Sequence, residues 1–379
     1  MQVYFDNAAT TVVYPEVREL SIRLMSEDYG NPSSMHIKGV DAEEYIKTAA
    51  SRMAAALKCR DKELIFTSGG TESNNLALIG SALAKRRAGK HIITSAIEHA
   101  SVSSTLDFLQ KEGFEVTRIP CGSDGIVSVG DVASAVREDT ILCSVMLINN
   151  EVGAVQPVSE ISKAVKSIKK DIYVHTDAVQ AFGKIRCDVR DLGVDMLSIS
   201  GHKIHGPKGS GALFVKEGTL IRPIIYGGGQ QRDMRSGTEN VPAIAGMGLA
   251  AEMMTGAIEA NTSSMLAVKE ILERGFSAFE HVKINSGAAP HIVSASFTGV
   301  RSEVMLHALE DKGIYVSAGS ACSTNKPHVS ETLKSMGLSK EELESTIRFS
   351  FSELNTTQEA EYVVMTVGEL LPTLRRYTR

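Results

Sequence analysis

Several features that mark special classes of protein are missing from this sequence. Its 379 residues contain no apolar run long enough to span a bilayer. The N-terminus MQVYFDNAATT has neither the basic and apolar regions of a signal peptide nor the arginine and serine of a transit peptide. A net charge of −5 gives no electrostatic reason to expect nucleic acid or an anionic membrane as a partner. The remaining composition, 43% hydrophobic and 22% charged, predicts an ordinary globular protein of the cytoplasm.

Cysteines are few, and their spacing argues against the usual cysteine-based sites. There are five, an odd number, and none forms a CxxC pair, so neither a disulfide framework nor a zinc site is expected. Free thiols in a reducing compartment are the simple interpretation. Cys143 lies in the apolar run TILCSVMLI, which predicts a buried and inert thiol. Around Cys322, by contrast, VSAGSACSTNKP is small and polar with Gly319 three positions earlier, which predicts an exposed and flexible loop.

Strand and helix patterns alternate along most of the chain. Apolar residues at helical spacing fill DAEEYIKTAASRMAAALK, and a helix is expected again in NLALIGSALAKRR. The strand candidates are LIFTS, HIITSAI, FEVTRIP, ILCSVMLIN, DIYVHTDAV, DMLSIS and GALFVK. This alternation predicts a mostly parallel sheet covered on both faces, with ligands at the carboxyl ends of its strands. Longer helices begin after about residue 240, and we expect a domain change near residue 256.

A glycine-rich turn, TSGGTESNN at 67–75, joins a strand to a helix. Gly69 and Gly70 permit a tight turn and close approach of the backbone. Thr71 lies where the first free N–H groups of the helix point outward, so the turn can bind a phosphate. The turn lacks the lysine of a Walker A loop and the GxGxxG spacing, and by itself it is more typical of a plain strand–helix connection than of a phosphate site.

A second loop, SISGHKIHGPKGSG at 198–211, places Lys203 just after a strand, between His202 and His205. Other cationic groups and distance from bulk water lower the pKa of a lysine, and a neutral amine can form a Schiff base with an aldehyde. Lys208 in the same loop is a competing candidate. The alternative for either is an ordinary solvated loop lysine.

Two further strand ends carry groups suited to a pyridine ring. Asp177 ends a strand in VHTDAVQ, where its carboxylate can hold a proton on a pyridinium nitrogen, although it can equally cap the next turn. His99 in IEHAS can stack on an aromatic ring or move protons, although a lone histidine is more often structural.

Arginines at two places can hold an anion. Arg235 and Thr238 in RSGTEN suit a phosphate or carboxylate, and Arg348 in RFS can grip a carboxylate through two parallel hydrogen bonds. A surface ion pair is the alternative for each arginine. Together with the phosphate turn, the histidine, the aspartate, the lysine and the thiol, they describe a pyridoxal phosphate (PLP) enzyme that acts on an amino acid.

The order of the motifs resembles that of the cysteine desulfurases of the iron–sulfur assembly type, among the fold-type I PLP-dependent enzymes. The matching blocks are YFDNAATT at 4–11, GNPSSMH at 30–36, FTSGGTESNN at 66–75, EH at 98–99, NNEVG at 149–153, HTDAVQ at 175–180, SGHKIHGPKGSG at 200–211, RSGTEN at 235–240, GSAC at 319–322 and RFS at 348–350. GSAC with a long following segment is similar to the class with an extended, mobile cysteine loop, here at about 318–330.

The resemblance implies a fold and a domain division. The fold is α/β, with a large domain built on a mostly parallel seven-stranded sheet and a smaller α+β C-terminal domain. We expect residues 16–255 to form the large domain, and residues 1–15 with 256–379 to form the small one.

The resemblance also implies roles for particular residues. Lys203 would form the Schiff base and move protons, while His99 would stack on the ring and assist proton transfer. The other implied contacts are Asp177 with the ring nitrogen, Gln180 with the phenolic oxygen, Gly70, Thr71, Ser200 and His202 with the phosphate, Thr238 with the phosphate from a second subunit, and Asn31, Asn150 and Arg348 with the substrate.

The implied reaction converts L-cysteine to L-alanine and leaves a persulfide on Cys322. The implied assembly is a homodimer, and the sulfur would pass to an iron–sulfur scaffold or a tRNA-thiolation enzyme, with no direct contact with nucleic acid or membrane. No resident metal is expected, although Cys322 could transiently ligate a nascent iron–sulfur cluster. The segment STNKPHVSETL, Ser352 and the C-terminus LLPTLRRYTR depart from the family pattern and leave the acceptor open. Selenocysteine lyase, another fold-type I PLP enzyme and a non-catalytic sulfur-transfer scaffold are the alternatives.

Overall fold

The computed structural model describes residues 1–318 and 330–377. Its strands are β1 (Val3–Tyr4), β2 (Leu64–Thr67), β3 (His91–Ser95), β4 (Glu115–Ile119), β5 (Thr140–Ser144), β6 (Tyr173–Asp177), β7 (Met196–Ser200), β8 (Gly211–Val215), β9 (Val282–Ile284), β10 (Ile292–Phe297), β11 (Ile314–Tyr315), β12 (Ser317–Ala318) and β13 (Thr346–Ser350).

Its helices are α1 (Pro15–Ser26), α2 (Ile37–Leu57), α3 (Gly70–Lys85), α4 (Ala100–Lys111), α5 (Val129–Ser134), α6 (Val158–Ile168), α7 (Val189–Leu192), α8 (Val241–Gly256), α9 (Ile258–Ser277), α10 (Ser302–Glu310), α11 (Glu331–Ser335), α12 (Lys340–Ser345) and α13 (Thr357–Tyr377). Short 3-10 turns occupy Asp61–Glu63 and Gly201–Lys203.

A seven-stranded sheet in the order β2-β8-β7-β6-β5-β3-β4 forms the centre of the larger half. β8 runs antiparallel to both of its neighbours, and every other pair is parallel. Nearly every residue of β3, β5, β6 and β7 is buried, because helices cover both faces of the sheet. This confirms the predicted mostly parallel sheet and explains why these strands read as continuous apolar runs. Cys143 in β5 has no exposed surface, as predicted.

A second core lies around the four-stranded antiparallel sheet β12-β13-β10-β9. Phe276, Phe297 and Phe349 meet there with ring centroids 4.9 to 6.2 Å apart. The chain's N-terminus belongs to this core as well, since Val3 pairs with Ile314 in a short parallel ladder and the ring of Phe5 lies 5.6 Å from that of Phe351. The observed α+β architecture of this part agrees with the predicted one.

Residues 8–14 run from the second core to the loop that follows β7. Thr11 donates its backbone N–H to His202 O at 2.9 Å, and its hydroxyl accepts the His205 N–H at 2.8 Å. Tyr14 continues the contact by donating its N–H to His205 O at 3.1 Å. This N-terminal segment therefore contacts the predicted lysine loop from His202 to His205.

Helices α8 and α9 begin at Val241 and Ile258, where the sequence predicts longer helices after about residue 240. No single described helix has the length and apolarity to cross a membrane, although α8 and α9 pass that test as a pair across a bend of 75°. Residue 256, the predicted domain change, is the last residue of α8.

Candidate active site

A cavity of about 590 Å³ opens at the carboxyl ends of the parallel strands. Its walls come from the segments that follow β2, β3, β5, β6 and β7, from the N-terminal segment and from the second sheet. The predicted site residues that line it are Gly70, Thr71, His99, Asn150, Asp177, Gln180, Ser200, His202, Lys203 and Arg348. Residues far apart in the sequence therefore share one cavity because neighbouring parallel strands end at the same edge.

Lys203 lies in the 3-10 turn that follows β7, half-buried in the cavity wall. Its Nζ donates to the backbone oxygens of Ala8 and Ala9 at 2.5 and 2.7 Å. Lys208, the competing candidate, is exposed and outside the cavity lining. The N-terminal segment thus holds the amine of Lys203 in place, which the loop sequence alone does not indicate.

The first turn of α3 forms the cradle expected from TSGGTESNN. A Cβ atom on Gly70 would lie 2.6 Å from Val179 Cγ2, and one on Gly211 would lie 2.5 Å from Gly69 Cα, so both positions require glycine. Gly69 is the N-cap and has no side chain to accept the first N–H groups of α3. These N–H groups, with Ser200 and His202 on the facing wall, are available to an anion.

His202 lies across from this helix end and carries no charge near neutral pH. Burial, with Lys203 and Lys208 nearby, lowers the pKa of His202 to about 4. Its Nδ1 lies 3.2 Å from Thr10 Oγ1. A neutral imidazole at this place can donate one hydrogen bond to an anion without adding a further charge.

Asp177 ends β6 and is 5% exposed. Its Oδ1 accepts the N–H of Val179 at 2.9 Å, so the turn-capping role that the sequence left open is present. Its Oδ2 accepts a hydrogen bond from Asn74 Nδ2 at 2.7 Å. Asp177 also lines the cavity. Capping the turn and facing the cavity are therefore compatible for this carboxylate.

His99 is the N-cap of α4 and its ring is open to the cavity. Its Nδ1 accepts the backbone N–H of Ser101 at 3.1 Å and lies 2.8 Å from Ser101 Oγ. Desolvation lowers the pKa of His99, the charge of Asp177 opposes this and the charge of Lys203 adds to it. His99 is therefore a neutral imidazole, and its contacts with Ser101 in the first turn of α4 fix the orientation of its ring.

Arg348 in the second sheet reaches the cavity from the opposite side and is 9% exposed. It donates from Nη1 to Asn150 O and from Nη2 to Asp6 Oδ1, each at 2.9 Å. Arg235, the other candidate, instead forms a two-bond ion pair with Glu72 at 2.7 and 3.2 Å and is not part of the lining. Both arginines are therefore ion-paired, and they differ in that Arg348 lines the cavity whereas Arg235 does not.

Two glutamates of the cavity wall were not singled out from the sequence. Glu98 Oε1 accepts Ser95 Oγ at 2.5 Å and Met146 N at 2.8 Å, and burial raises the pKa of Glu98 to about 8. Glu151 Oε2 accepts Ser330 Oγ at 2.5 Å, and burial also raises its pKa. Both lie inside quoted motifs, EH and NNEVG, where an acid within a few residues of an apolar run was the available signal.

Asn74 and Ser101 were also missed, although each lies in a quoted motif. Asn74 Nδ2 donates to Asp177 Oδ2 at 2.7 Å and to Ser101 Oγ at 2.8 Å. Both residues are buried and both line the cavity. The signal that could have identified Asn74 was its position three and four residues before the apolar Ala77 and Leu78, which places a polar side chain on the buried face of the helix.

Two further predicted residues, Asn31 and Thr238, are not brought into this cavity by one chain. Asn31 and Thr238 are exposed and together line a separate surface depression, beside Tyr29. Cys322, like Gly319, lies outside the described residues. Ala318, the last described residue before them, and Leu333 after them both line the cavity.

Comparison with known proteins agrees with this geometry. The model of the aminotransferase class-V family matches residues 3–363. The chain is 42% identical over 376 residues to cysteine desulfurase IscS of Methanosarcina thermophila, covering 98% of this chain and 93% of the relative. It is 40% identical to cysteine desulfurase IscS of Clostridium botulinum, covering 100% of this chain and 95% of the relative. A solved structure of a NifS-like protein superposes with a TM-score of 0.94 at 37% identity, covering 99% of this chain and all of that one.

Proposed function

The chain belongs to the aminotransferase class-V family as a cysteine desulfurase, and we propose that it takes the sulfur of L-cysteine onto Cys322 with the help of PLP bound in the cavity. The observation that carries the proposal is the convergence of an amine, a carboxylate, an imidazole and an open helix end on one cavity.

The residues of the cavity fit PLP group by group. The open first turn of α3 with Thr71, Ser200 and His202 would hold the phosphate. Asp177 would hold the proton of the ring nitrogen, Gln180 would contact the phenolic oxygen, and Lys203 would hold the aldehyde carbon. PLP supplies an electron sink, so that bonds at the substrate's carbon atoms break at a lower cost.

The substrate's contacts come from the wall opposite α3. Arg348 would bind the carboxylate of L-cysteine, because its guanidinium is aimed by Asp6 and by the carbonyl of Asn150. The side chain of Asn150 lines the same wall and would contact the substrate. We propose Asn31 as a contact made only in the assembled dimer, since it lies outside the cavity of its own chain.

The sulfur step needs a thiolate within reach of the cavity. Cys322 follows the wall residue Ala318 by four positions, which an extended chain covers in at most about 14 Å. Its thiolate attacks the substrate sulfur, the S–S bond of the persulfide forms, and the C–S bond breaks with its electron pair left on carbon. One proton completes alanine, and we propose Lys203 and His99 Nε2 as the groups that move protons.

A second copy of the chain completes the proposed site. Thr238 is exposed beside Asn31, and the depression that they share is also lined by Met25 and Tyr29, which are 63% and 66% exposed. Such an exposed apolar surface around a functional residue favours a homodimer in which Thr238 reaches the partner's phosphate. The resemblance to the cysteine desulfurases implies the same homodimer, with the sulfur passed on to an acceptor protein.

We also propose the location, the acceptor class and the domain division. Cys59, Cys121, Cys143 and Cys187 are free thiols, which suits the reducing cytoplasm. The sulfur would pass from Cys322 to an iron–sulfur scaffold or a tRNA-thiolation enzyme. Residues 16–255 would form the large domain and 1–15 with 256–379 the small one, which the two separate cores support.

The test measures alanine release and cofactor absorbance in the PLP-loaded protein. Cys322→Ala should lose alanine release from L-cysteine and keep the absorbance of the lysine-bound cofactor, whereas Lys203→Ala should lose that absorbance. Cys59→Ala and Lys208→Ala are matched controls, because both side chains lie outside the cavity lining. Near-normal alanine release from Cys322→Ala would overturn the role of the thiol, and a protein that stays colourless with added PLP would overturn the cofactor.

A further inference from the structure

We infer that Asn74 and Ser101 are positioning residues that hold the proton of neutral His99 on Nε2, through a hydrogen-bond chain that begins at Asp177. The inference rests on the proposed function for the use of His99, and on hydrogen-bond geometry for everything else. It joins three elements, because Asn74 lies on α3, Ser101 in the first turn of α4 and Asp177 at the end of β6.

The direction of this hydrogen-bond chain is set at the carboxylate of Asp177. Asp177 Oδ2 lies 2.7 Å from Asn74 Nδ2, and a carboxylate oxygen only accepts, so the amide must turn its NH₂ group toward it. The opposite orientation would bring two oxygens to that distance. In this orientation Asn74 Oδ1 is buried and has no hydrogen-bond partner among the described residues. No bond to Oδ1 therefore competes with the Asp177 contact, and that contact decides how the amide is oriented.

The amide passes this direction to the serine. Asn74 Nδ2 has two hydrogens, and its second acceptor is Ser101 Oγ at 2.8 Å. An amide nitrogen cannot accept, so Ser101 Oγ is the acceptor of this bond. The serine's own hydrogen is therefore free for its other neighbour, His99 Nδ1, also at 2.8 Å.

Two donors therefore meet at one nitrogen of His99. The hydroxyl of Ser101 and its backbone N–H, at 3.1 Å, both point to Nδ1, which must carry a lone pair. The neutral ring then carries its proton on Nε2, the nitrogen farther from Ser101. Asn74 is fully buried and Ser101 is 8% exposed, so water has little access to the bond between these two side chains.

The same hydrogen-bond chain also affects the pKa of His99. Donors to Nδ1 stabilise the neutral ring and so lower its pKa, in the same direction as desolvation and the charge of Lys203. The charge of Asp177 acts in the opposite direction. Glu98, the neighbouring residue, has its pKa raised to about 8 by burial and so adds little negative charge near neutral pH.

The experiment reads the protonated nitrogen directly, by ¹⁵N NMR of histidine-labelled, PLP-loaded protein, with the signals of His99 assigned by their loss in His99→Gln. Wild type should show the proton on Nε2. Ser101→Ala should give a mixture of tautomers and raise the pKa of His99, and it should lower kcat about tenfold with KM within about twofold. Asn74→Ala should shift the tautomer in the same direction, because it frees the hydroxyl of Ser101 to rotate.

Matched controls come from the same helices. Ser104→Ala on α4 removes an exposed hydroxyl, and Asn75→Ala on α3 removes an amide that donates to Thr71 O one turn earlier in the same helix. Both should keep the wild-type tautomer. A proton on Nδ1 in wild type, or a tautomer and pKa in both test variants equal to those of the controls, would overturn the inference. Because the NMR readout does not depend on turnover, it is separate from any failure of the desulfurase proposal itself.

Discussion

At the scale of single residues, two acids on one cavity wall are held in opposite ways. Both oxygens of Asp177 accept N–H donors, from Val179 and from Asn74. Glu98 has donors on Oε1, whereas Oε2 is buried without a hydrogen-bond partner in the part of the chain that the structure describes. Desolvation therefore dominates at Glu98 and raises its pKa to about 8. The cavity wall therefore holds a buried acid that is neutral near pH 7, Glu98, directly before His99 in the chain.

This difference predicts how stability depends on pH. A carboxyl whose folded pKa is raised binds its proton more tightly in the folded state, so wild type loses stability as pH rises from about 4.5 to about 8. Glu98→Gln has no such proton to lose, so its free energy of unfolding should rise relative to that of wild type across this range, by a few kcal/mol in total. Urea unfolding of the PLP-saturated proteins at several pH values measures it. Glu112→Gln, at an exposed site, should run parallel to wild type; a parallel curve for Glu98→Gln would contradict the buried neutral acid.

At the scale of elements, α3 has two roles: its first turn presents free N–H groups to the cavity, and its Asn74 contacts Asp177. Gly70 and Thr71 present its free N–H groups to the cavity, and Asn74 lies one turn further along the same face. The helix can come this close to the turn after β6 because residue 70 has no side chain to meet Val179. The position of the helix end and that of the Asp177 contact are therefore linked.

Gly70→Ala should disturb both roles at once. The new Cβ would approach Val179 Cγ2 to 2.6 Å, which forces α3 away from the turn after β6. We expect a loss of about 1–3 kcal/mol in the free energy of unfolding and a weaker affinity for PLP. Urea unfolding and absorbance titration with PLP measure these. Gly256→Ala, where nothing lies within 4 Å, should change stability by less than about 1 kcal/mol and leave PLP binding unchanged; equal behaviour of the two variants would disprove the close approach.

At the scale of the whole molecule, a buried ionic cluster joins the two cores through the lysine loop. Tyr14 of the N-terminal segment donates to Glu353, which follows β13, and its ring stacks on His205 at 4.4 Å. His205, which lies two positions after Lys203, places its Nε2 3.2 Å from Glu353 Oε1. Burial alone would raise the pKa of Glu353, but His205, Lys184 and Tyr14 outweigh it and hold the pKa at about 2.

This cluster predicts a stability that depends on Glu353 being charged. A depressed folded pKa contributes stability above about pH 4.5, and that contribution is lost as pH falls toward 2. Glu353→Gln should lower the free energy of unfolding at pH 7 by about 3 kcal/mol, because the buried groups around it, His205 and Tyr14 above all, then lose the negative charge that they contact. The deficit should shrink as pH falls below 4.5. Glu361→Gln at an exposed site is the control; a deficit that stays constant with pH would exclude an ionic role for Glu353.

Much of the architecture was predictable because local patterns and the fold agree. Strands such as Leu64–Thr67 and His91–Ser95 read as apolar runs since both faces of the sheet are covered. Motifs placed directly after strands predicted the edge where the cavity lies. The choice of Lys203 over Lys208 could not be made from the loop, because it depends on the carbonyls of Ala8 and Ala9, about 195 residues earlier.

The sequence by itself determined the chemical inventory: which strands carry a lysine, an acid or a histidine at their ends, and which helix begins with glycines. Only the tertiary structure decided how those groups are paired and charged. Asn74 meets Asp177 across 103 residues, and Arg348 meets Asp6 across 342. Hydrogen-bond direction and desolvation depend on such neighbours, and neighbours are set by how strands and helices pack rather than by spacing along the chain.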